Sequence, residues 1–366
     1  MELSLNIEAL DSWVRKRGQK LLISGPCSVE SPEQMDEVVR ALSKQDNIDV
    51  LRGGIWKPRT RPDSFEGIGT EALPWLKEAG RALDIPVATE VAKAEHVELA
   101  LKEGIDILWI GARTSASPFS VQEIADALKG VDIPVMVKNP INPDIQLWIG
   151  ALERINNAGI QKLAAVHRGF SSFENSVFRN VPMWDIAIAL KSLCSDLPII
   201  CDPSHIAGNK EMIPFVAQKA IDLDMDGLMI ESHPDPEHAL SDKEQQLSPE
   251  KLENLIRGLS MRSATSTDPV FENQLEELRA IIDQIDEDLI KTLVSRMKIV
   301  EKIGEYKKEN SVTIFQLERW KEILETRTSL GKKLDLDEDF VKSFLELIHE
   351  LSIRRQTDVM NQRIEK

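Results

Sequence analysis

Cysteine is scarce in this chain, and the little there is does not pair. Only Cys27, Cys194 and Cys201 occur in 366 residues; three cannot all pair, and none stands in C-x-x-C or another zinc-finger spacing. A chain this long buries enough apolar surface to do without disulfides, so a reducing compartment is implied. No apolar stretch approaches the roughly 20 residues of a membrane span. The N-terminus MELSLNIEALDSWVRKRGQK lacks the basic start and apolar run of a signal peptide. The reading is a soluble, cytoplasmic protein with no membrane partner. Positive charge is also short: 45 Lys and Arg against 61 Asp and Glu leave a formal charge of −16 and a pI near 5.0. Nucleic-acid binding relies on clustered cations that neutralise backbone phosphates, so nucleic acid is excluded as a partner. A small anion must find a local basic pocket. No G-x-G-x-x-G follows the first strand candidate, which argues against a dinucleotide-binding sheet, and no organic cofactor is expected.

The basic pocket has one clear candidate. In LRGGIWKPRTRP, Leu51 to Pro62, an apolar lead-in runs into paired glycines, followed by Lys57, Arg59 and Arg61. Alternate residues of an extended segment face one side, so these three cations can point together. Pro58 and Pro62 stiffen the backbone between them.

From Leu21 to about Arg262, apolar runs of strand length alternate with helical patterns such as SPEQMDEVVRALSK. The runs are LLISGPCS, VLRGG, PVATEV, ILWIGA, PVMVKN, KLAAVHRG, PIICDPS and GLMIES. Eight near-continuously apolar strands, each followed by a helix, predict an α/β fold of the (β/α)8 barrel type over residues 1–262. Such a barrel carries its chemistry at the C-terminal ends of its strands. Those ends hold Cys27, Arg52, Lys57, Thr60, Glu90, Arg113, Lys138, His167, Arg168, Asp202, His205 and Glu231. Two classes separate. Arg52, Lys57, Arg59, Arg113, Lys138 and Arg168 form a ring of donors suited to phosphate and carboxylate oxygens. Cys27, His205, Glu231 and Asp242 offer a thiolate, an imidazole and two carboxylates, a mixture that suits Mn, Fe, Co or Zn better than Mg or Ca.

Taken in order, GPCS, RGGIWKPRT, IGAR, VKNP, HRG, DPSH and IESHPDPEHALSD resemble 3-deoxy-D-arabino-heptulosonate-7-phosphate (DAHP) synthase, the first enzyme of the shikimate pathway. The resemblance implies a metal held by Cys27, His205, Glu231 and Asp242. It implies phosphoenolpyruvate held by Arg52, Lys57, Arg113, Lys138 and Arg168, and the phosphate of erythrose 4-phosphate held by Arg59 and Thr60. Carbon 3 of phosphoenolpyruvate would attack the aldehyde, polarised by the metal as a Lewis acid. Water then adds at carbon 2 and phosphate leaves. His167, Asp202 or a water at the metal are the proton carriers between which the sequence does not choose; Lys57 is the further catalytic candidate. The related 3-deoxy-D-manno-octulosonate-8-phosphate synthase carries an asparagine-containing motif in place of K-P-R-T, and Pro58 favours the four-carbon sugar phosphate. Regulatory domains often precede this barrel in relatives. About twenty residues precede the first strand here, so control is expected from elsewhere.

Beyond GLSMRSATSTDP, Gly258 to Pro269, whose residues 263–269 are read as the linker, the character changes. From Asp268 to about Asn310 only Gly304 interrupts a pattern in which Leu275, Leu278, Ile282, Ile285 and Leu289 keep helical spacing. A helix of about 40 residues would be roughly 60 Å long, too long to bury its seam in a small domain, so a second chain is expected. Two more helices follow, about Phe315–Leu330, ended by Gly331, and Asp337–Met360. Within residues 270–366, Arg279, Arg296, Lys307, Arg319, Ser352 and Gln356 stand in an order and spacing that resemble the all-helical chorismate mutases. The resemblance implies a homodimer interlocked through the long helix, with Arg279 serving the partner's site. Arg296 and Arg319 would bind the carboxylates of chorismate, and Lys307 and Gln356 the ether oxygen. Two positions depart from the family: Trp320 stands where some members have a glutamate for the substrate hydroxyl, and Gln316 where aspartate is common. The expectation is a bifunctional enzyme with feedback by prephenate or chorismate. A domain kept only as a dimeric ligand sensor is the alternative.

Overall fold

The computed structural model describes residues 4–57, 65–173, 175–263 and 265–361. It divides into two compact units, Met1–Ala264 and Thr265–Lys366. In the first, all eight apolar runs are strands: β1 (Leu21–Gly25), β2 (Val50–Arg52), β3 (Val87–Val91), β4 (Ile107–Ile110), β5 (Val135–Lys138), β6 (Leu163–His167), β7 (Ile199–Cys201) and β8 (Gly227–Glu231). They pair in parallel with their sequence neighbours, and β1 closes on β8, from Leu21 opposite Gly227 to Gly25 opposite Glu231. The result is a closed (β/α)8 barrel. Strands buried on both faces need apolar residues at every position, which is why the runs lack a period of two.

The helices follow from local chemistry. Ser31 caps helix Pro32–Leu42 by accepting from the Gln34 amide, Ser117 caps Pro118–Ala127 through Ser120, and Asp144 caps Ile145–Asn157. Each satisfies an amide that the helix cannot. The apolar stripes of these helices bury against the outside of the barrel with Leu22, Leu51, Leu108, Val135 and Leu163. A second, inner cluster fills the barrel: Leu21, Ile23, Val50, Ala88, Ile107, Trp109, Met136, Ala164, Val166, Ile200 and Met229. Leu10 and Val14, from the lead before β1, join that inner cluster. The lead is therefore part of the core.

The second unit has three helices, Pro269–Glu309, Leu317–Lys333 and Glu338–Asn361. Pro269 and the Asp268 cap, which accepts from the amides of Val270 and Phe271, start the first. Gly304 admits close packing: a Cβ there would sit 3.4 Å from Gln356 and Val359 of the last helix. Gly331 does not end the middle helix as expected from sequence. The helix runs on to Lys333, and Gly331 instead makes room for Val341, whose Cγ2 would lie 2.6 Å from an added Cβ. Leu278, Ile282, Ile285 and Leu289 stay exposed, at 46 to 60%. No described helix is long and apolar enough to cross a membrane.

Candidate active sites

Because strand side chains alternate, the inner cluster predicts its own continuation. Two residues beyond Val50, Ala88, Met136, Val166, Ile200 and Met229 come Arg52, Glu90, Lys138, Arg168, Asp202 and Glu231. Five of them carry buried charge in the sequence-predicted site, with Arg52 1% and Lys138 3% exposed. An unpaired buried charge is costly, and four of the five are matched in two ion pairs. Arg52 Nη2 lies 3.3 Å from Glu231 Oε1, and Lys138 Nζ 2.7 Å from Asp202 Oδ2. Trp109 lies beneath both cations, its ring 4.8 Å from the Arg52 guanidinium and 5.7 Å from Lys138 Nζ. Its indole N–H donates to Glu90 Oε2 at 2.9 Å. Arg52 Nε and Nη1 are buried without a hydrogen-bond partner. A buried guanidinium with idle donors has the chemistry that suits an anion.

Arg168 donates to Asn180 Oδ1 at 2.7 Å. Burial pulls it down to about 10, still charged at neutral pH. Gly169 follows with φ +76°, and a Cβ there would strike the Asn180 carbonyl at 2.7 Å, which explains the glycine of HRG. Arg113 is exposed, on the short helix Ala112–Ser115 at the rim. Arg59 and Thr60 fall outside the described residues, as does Pro58.

The four metal-ligand candidates come from four separate segments and approach one another in pairs. Cys27 Sγ is 3.4 Å from Asp242 Oδ2, and His205 Nε2 is 3.9 Å from Glu231 Oε1. Among the described residues no three His, Cys, Asp or Glu side chains converge closely enough to form a ready ligand cluster. Lys57 Nζ lies 2.8 Å from Cys27 Sγ and also feels the Glu231 charge. The donor set nevertheless fits a divalent transition metal. Asp202 takes His205 Nδ1 at 2.8 Å, which leaves Nε2 to face Glu231, the arrangement by which a carboxylate orients an imidazole for ligation. Glu231 Oε1 has no hydrogen-bond donor of its own. Burial, and then the Glu231 charge, pushes the Cys27 thiol up to about 12. Burial also opposes the charge on Lys57, but Cys27 and Glu231 outweigh it and its ammonium is raised. Asp202 is held well below the carboxylate range, because His205 and Lys138 outweigh its burial.

His167 is placed differently from the other candidates. It continues the row of Leu163 and Ala165, which faces the helices, and packs against Trp184 at 5.1 Å and Phe170 at 5.8 Å between ring centres. Burial pushes it down to about 3. The position is a neutral core imidazole outside the ion cluster.

Sequence reasoning passed over four contributors. Gln245 donates to Glu231 Oε2 at 2.7 Å, Gln246 accepts from the Cys27 amide at 2.8 Å, and Arg179 donates to Asp242 at 3.1 Å. Trp109 is the fourth. The two glutamines follow Asp242 closely in sequence, but nothing in their spacing distinguishes them from surface glutamines.

In the helical unit Arg296, Lys307, Arg319, Ser352 and Gln356 line one open cavity of about 780 Å³, with Trp320 and His349. Arg296 Nη1 donates to Ser352 Oγ at 2.7 Å and Lys307 Nζ to the Ile314 carbonyl at 2.5 Å. Gln356 Oε1 is buried without a partner. Gln316 also lines the cavity. Arg279 does not: it is exposed and pairs with Glu276 at 2.6 Å. Seventeen residues before Arg296, it lies about 25 Å away along the same helix.

Both geometries have counterparts among known proteins. Residues 8–264 match the DAHP synthetase I family. The chain belongs to that family. Residues 278–357 match chorismate mutase type II, so the helical unit is a domain of that family. A phospho-2-dehydro-3-deoxyheptonate aldolase of Thermotoga maritima is 35% identical over 240 residues, covering 66% of this chain and 69% of the relative. A 2-dehydro-3-deoxyphosphooctonate aldolase of Rhodopseudomonas palustris is 29% identical over 258 residues, covering 65% and 86%. The crystal structure of the Thermotoga maritima DAHP synthase superposes with a TM-score of 0.59 at 32% identity, covering 66% of this chain and 68% of the other.

Proposed function

We propose that the chain is a bifunctional shikimate-pathway enzyme: its barrel condenses phosphoenolpyruvate with erythrose 4-phosphate to DAHP and phosphate, and its helical domain rearranges chorismate to prephenate. The observation that carries the synthase reading is the buried Arg52, with Nε and Nη1 unpartnered beside Lys138 and over Trp109. Such donors suit the carboxylate and phosphate of phosphoenolpyruvate. Arg168, Arg113 and Lys57 complete the ring, and Arg59 and Thr60 are assigned to the sugar phosphate. Two anions held together repel, and fixed cations offset that repulsion while aligning the reacting carbons.

Cys27, His205, Glu231 and Asp242 would hold a divalent transition metal of the Mn, Fe, Co or Zn class. Bound there, it supplies a Lewis acid for the aldehyde oxygen. Lys57, an ammonium 2.8 Å from Cys27 Sγ, is assigned delivery of the proton that turns the aldehyde oxygen into a hydroxyl. Asp202 orients Lys138 and His205. Its strongly lowered pKa suits that task better than carrying a proton. His167, neutral and enclosed in aromatic rings, is assigned a packing role.

In the helical domain Arg296 and Arg319 are assigned to the carboxylates, and Lys307 and Gln356 to the ether oxygen where charge develops. The rearrangement is intramolecular, so holding the substrate folded and stabilising its polar transition state suffices. The separation of about 25 Å between Arg279 and Arg296 supports service of Arg279 in a second chain's pocket, and the exposed row of Leu278, Ile282, Ile285 and Leu289 supports a homodimer. Trp320 in place of an acceptor favours a second reading, in which the domain senses chorismate or prephenate with little turnover. Feedback of that ligand on the barrel requires that it bind two arrangements of the protein with different affinity.

The test is the synthase rate of the full chain before and after chelation, with Cys27→Ala beside it, and mutase turnover on the same preparation. Synthase activity insensitive to both would withdraw the four-ligand site. No turnover with intact prephenate binding would leave the sensor.

A further inference from the structure

Trp320 and His349 are each the only residue of their type beyond residue 265, and they are in contact. Trp320, from the middle helix, stacks on His349 of the last helix at 4.0 Å between ring centres and 16° between planes. Phe315 meets the same imidazole edge-on at 5.9 Å. Both Trp320 and His349 line the cavity that holds Arg296, Lys307 and Arg319. His349 Nε2 is buried and has no hydrogen-bond partner. A polar nitrogen shut away from water with nothing bonded to it is destabilising, a state that a ligand in the cavity can relieve. The aromatic faces fix the ring's plane, and the cations around it draw a carboxylated ligand towards it.

We propose that His349, held in place by Trp320, is a ligand-binding residue of the helical pocket: its Nε2–H donates a hydrogen bond to a carboxylate oxygen of the bound dicarboxylate. The assignment rests on reading the pocket as a chorismate or prephenate site. Proton linkage gives it a signature. Burial, with Arg296 and then Lys307, lowers the pKa of His349 in the ligand-free pocket. Of the other charged residues lining the cavity, Arg319 adds positive charge and Glu318 negative, both from the middle helix. A bound dicarboxylate offsets the cations, so the imidazole gains affinity for a proton as the ligand enters. Binding therefore takes up protons, and affinity rises as pH falls from about 7.5 to about 6.

The experiment is calorimetric titration of the full chain with prephenate at about pH 6.5, close to the ordinary histidine pKa, in two buffers of different ionisation enthalpy. We expect uptake of a fraction of a proton in the wild type and none in His349→Gln, with affinity about tenfold lower in His349→Leu. Trp320→Ala, which removes the positioning face, weakens binding in the same direction. Equal affinity and equal proton uptake in wild type and both His349 variants, while Arg296→Ala abolishes binding, overturns the assignment but spares the pocket. A wild-type chain that does not bind prephenate overturns both. If His349→Leu unfolds the domain, proton uptake in His349→Gln decides alone.

Discussion

In the barrel, Arg52 and Lys138 are buried and already matched by Glu231 and Asp202, whereas in the helical domain Arg279 and Arg319 lie on the surface and pair with Glu276 and Glu322 of their own helices. Exposed pairs of that kind contribute little, so these two arginines can leave their partners for a ligand at small cost. The contrast extends to the cores. Eight strands close on themselves and leave no sheet edge, so the barrel sheet needs no second chain. The other two helices of the unit leave an apolar row of the 41-residue helix exposed, and in the proposed dimer a second chain would complete the second site.

Four outcomes would break or sharpen that contrast. The largest is expected in the barrel: Glu231→Ala removes a proposed metal ligand and strands Arg52, lowering synthase turnover by about a thousandfold or more. Chelation is expected to act alike, and prephenate binding at the helical domain serves as the unaffected control. Next, Ile285→Asp places a charge in the exposed apolar row. Sedimentation should show monomers and mutase turnover should fall about a hundredfold, with synthase rate per chain unchanged. Persistence of a dimer would end the claim that this row is the interface. Third, Trp109→Phe keeps a ring beneath Arg52 and Lys138 but removes the donor to Glu90; the KM for phosphoenolpyruvate should rise about tenfold, with kcat less affected.

The smallest effect concerns stability. His167 titrates near 6.5 when unfolded and is pushed down to about 3 by burial in the barrel. The unfolded chain therefore binds the extra proton as pH falls through 6.5. The folding stability that depends on neutral His167 is complete above that pH and is lost below it, at up to about 1.4 kcal/mol per pH unit until about pH 3. Denaturant melts of His167→Phe between about pH 6 and about pH 4 should show a shallower dependence for the barrel transition. An unchanged slope would mean that the imidazole is not buried neutral.

Much of this was legible in the residues themselves. The eight strands were readable because burial on both faces demands unbroken apolar runs, and the site because one charged residue stops nearly every run. The alternation beyond Val50, Met136 and Ile200 needs only the period of two to aim Arg52, Lys138 and Asp202 inward. The same period applied to β6 turns His167 outward, yet the run KLAAVHRG is apolar through its centre and does not reveal which face is which. Helix ends were less readable: Gly331 looks like a stop until Val341 is seen packed against it. Gln245, Gln246, Trp109 and the Trp320–His349 stack could not be read in advance, because each acts across 14 or more positions of sequence. Local pattern, charge and spacing depend on neighbours along the chain, and they suffice for a closed barrel, a long helix with an exposed seam, and two sets of clustered cations. Which cation pairs with which carboxylate and which rings stack emerges only in the folded chain. Those matches depend on the geometry of distant segments brought together, which no local signal encodes.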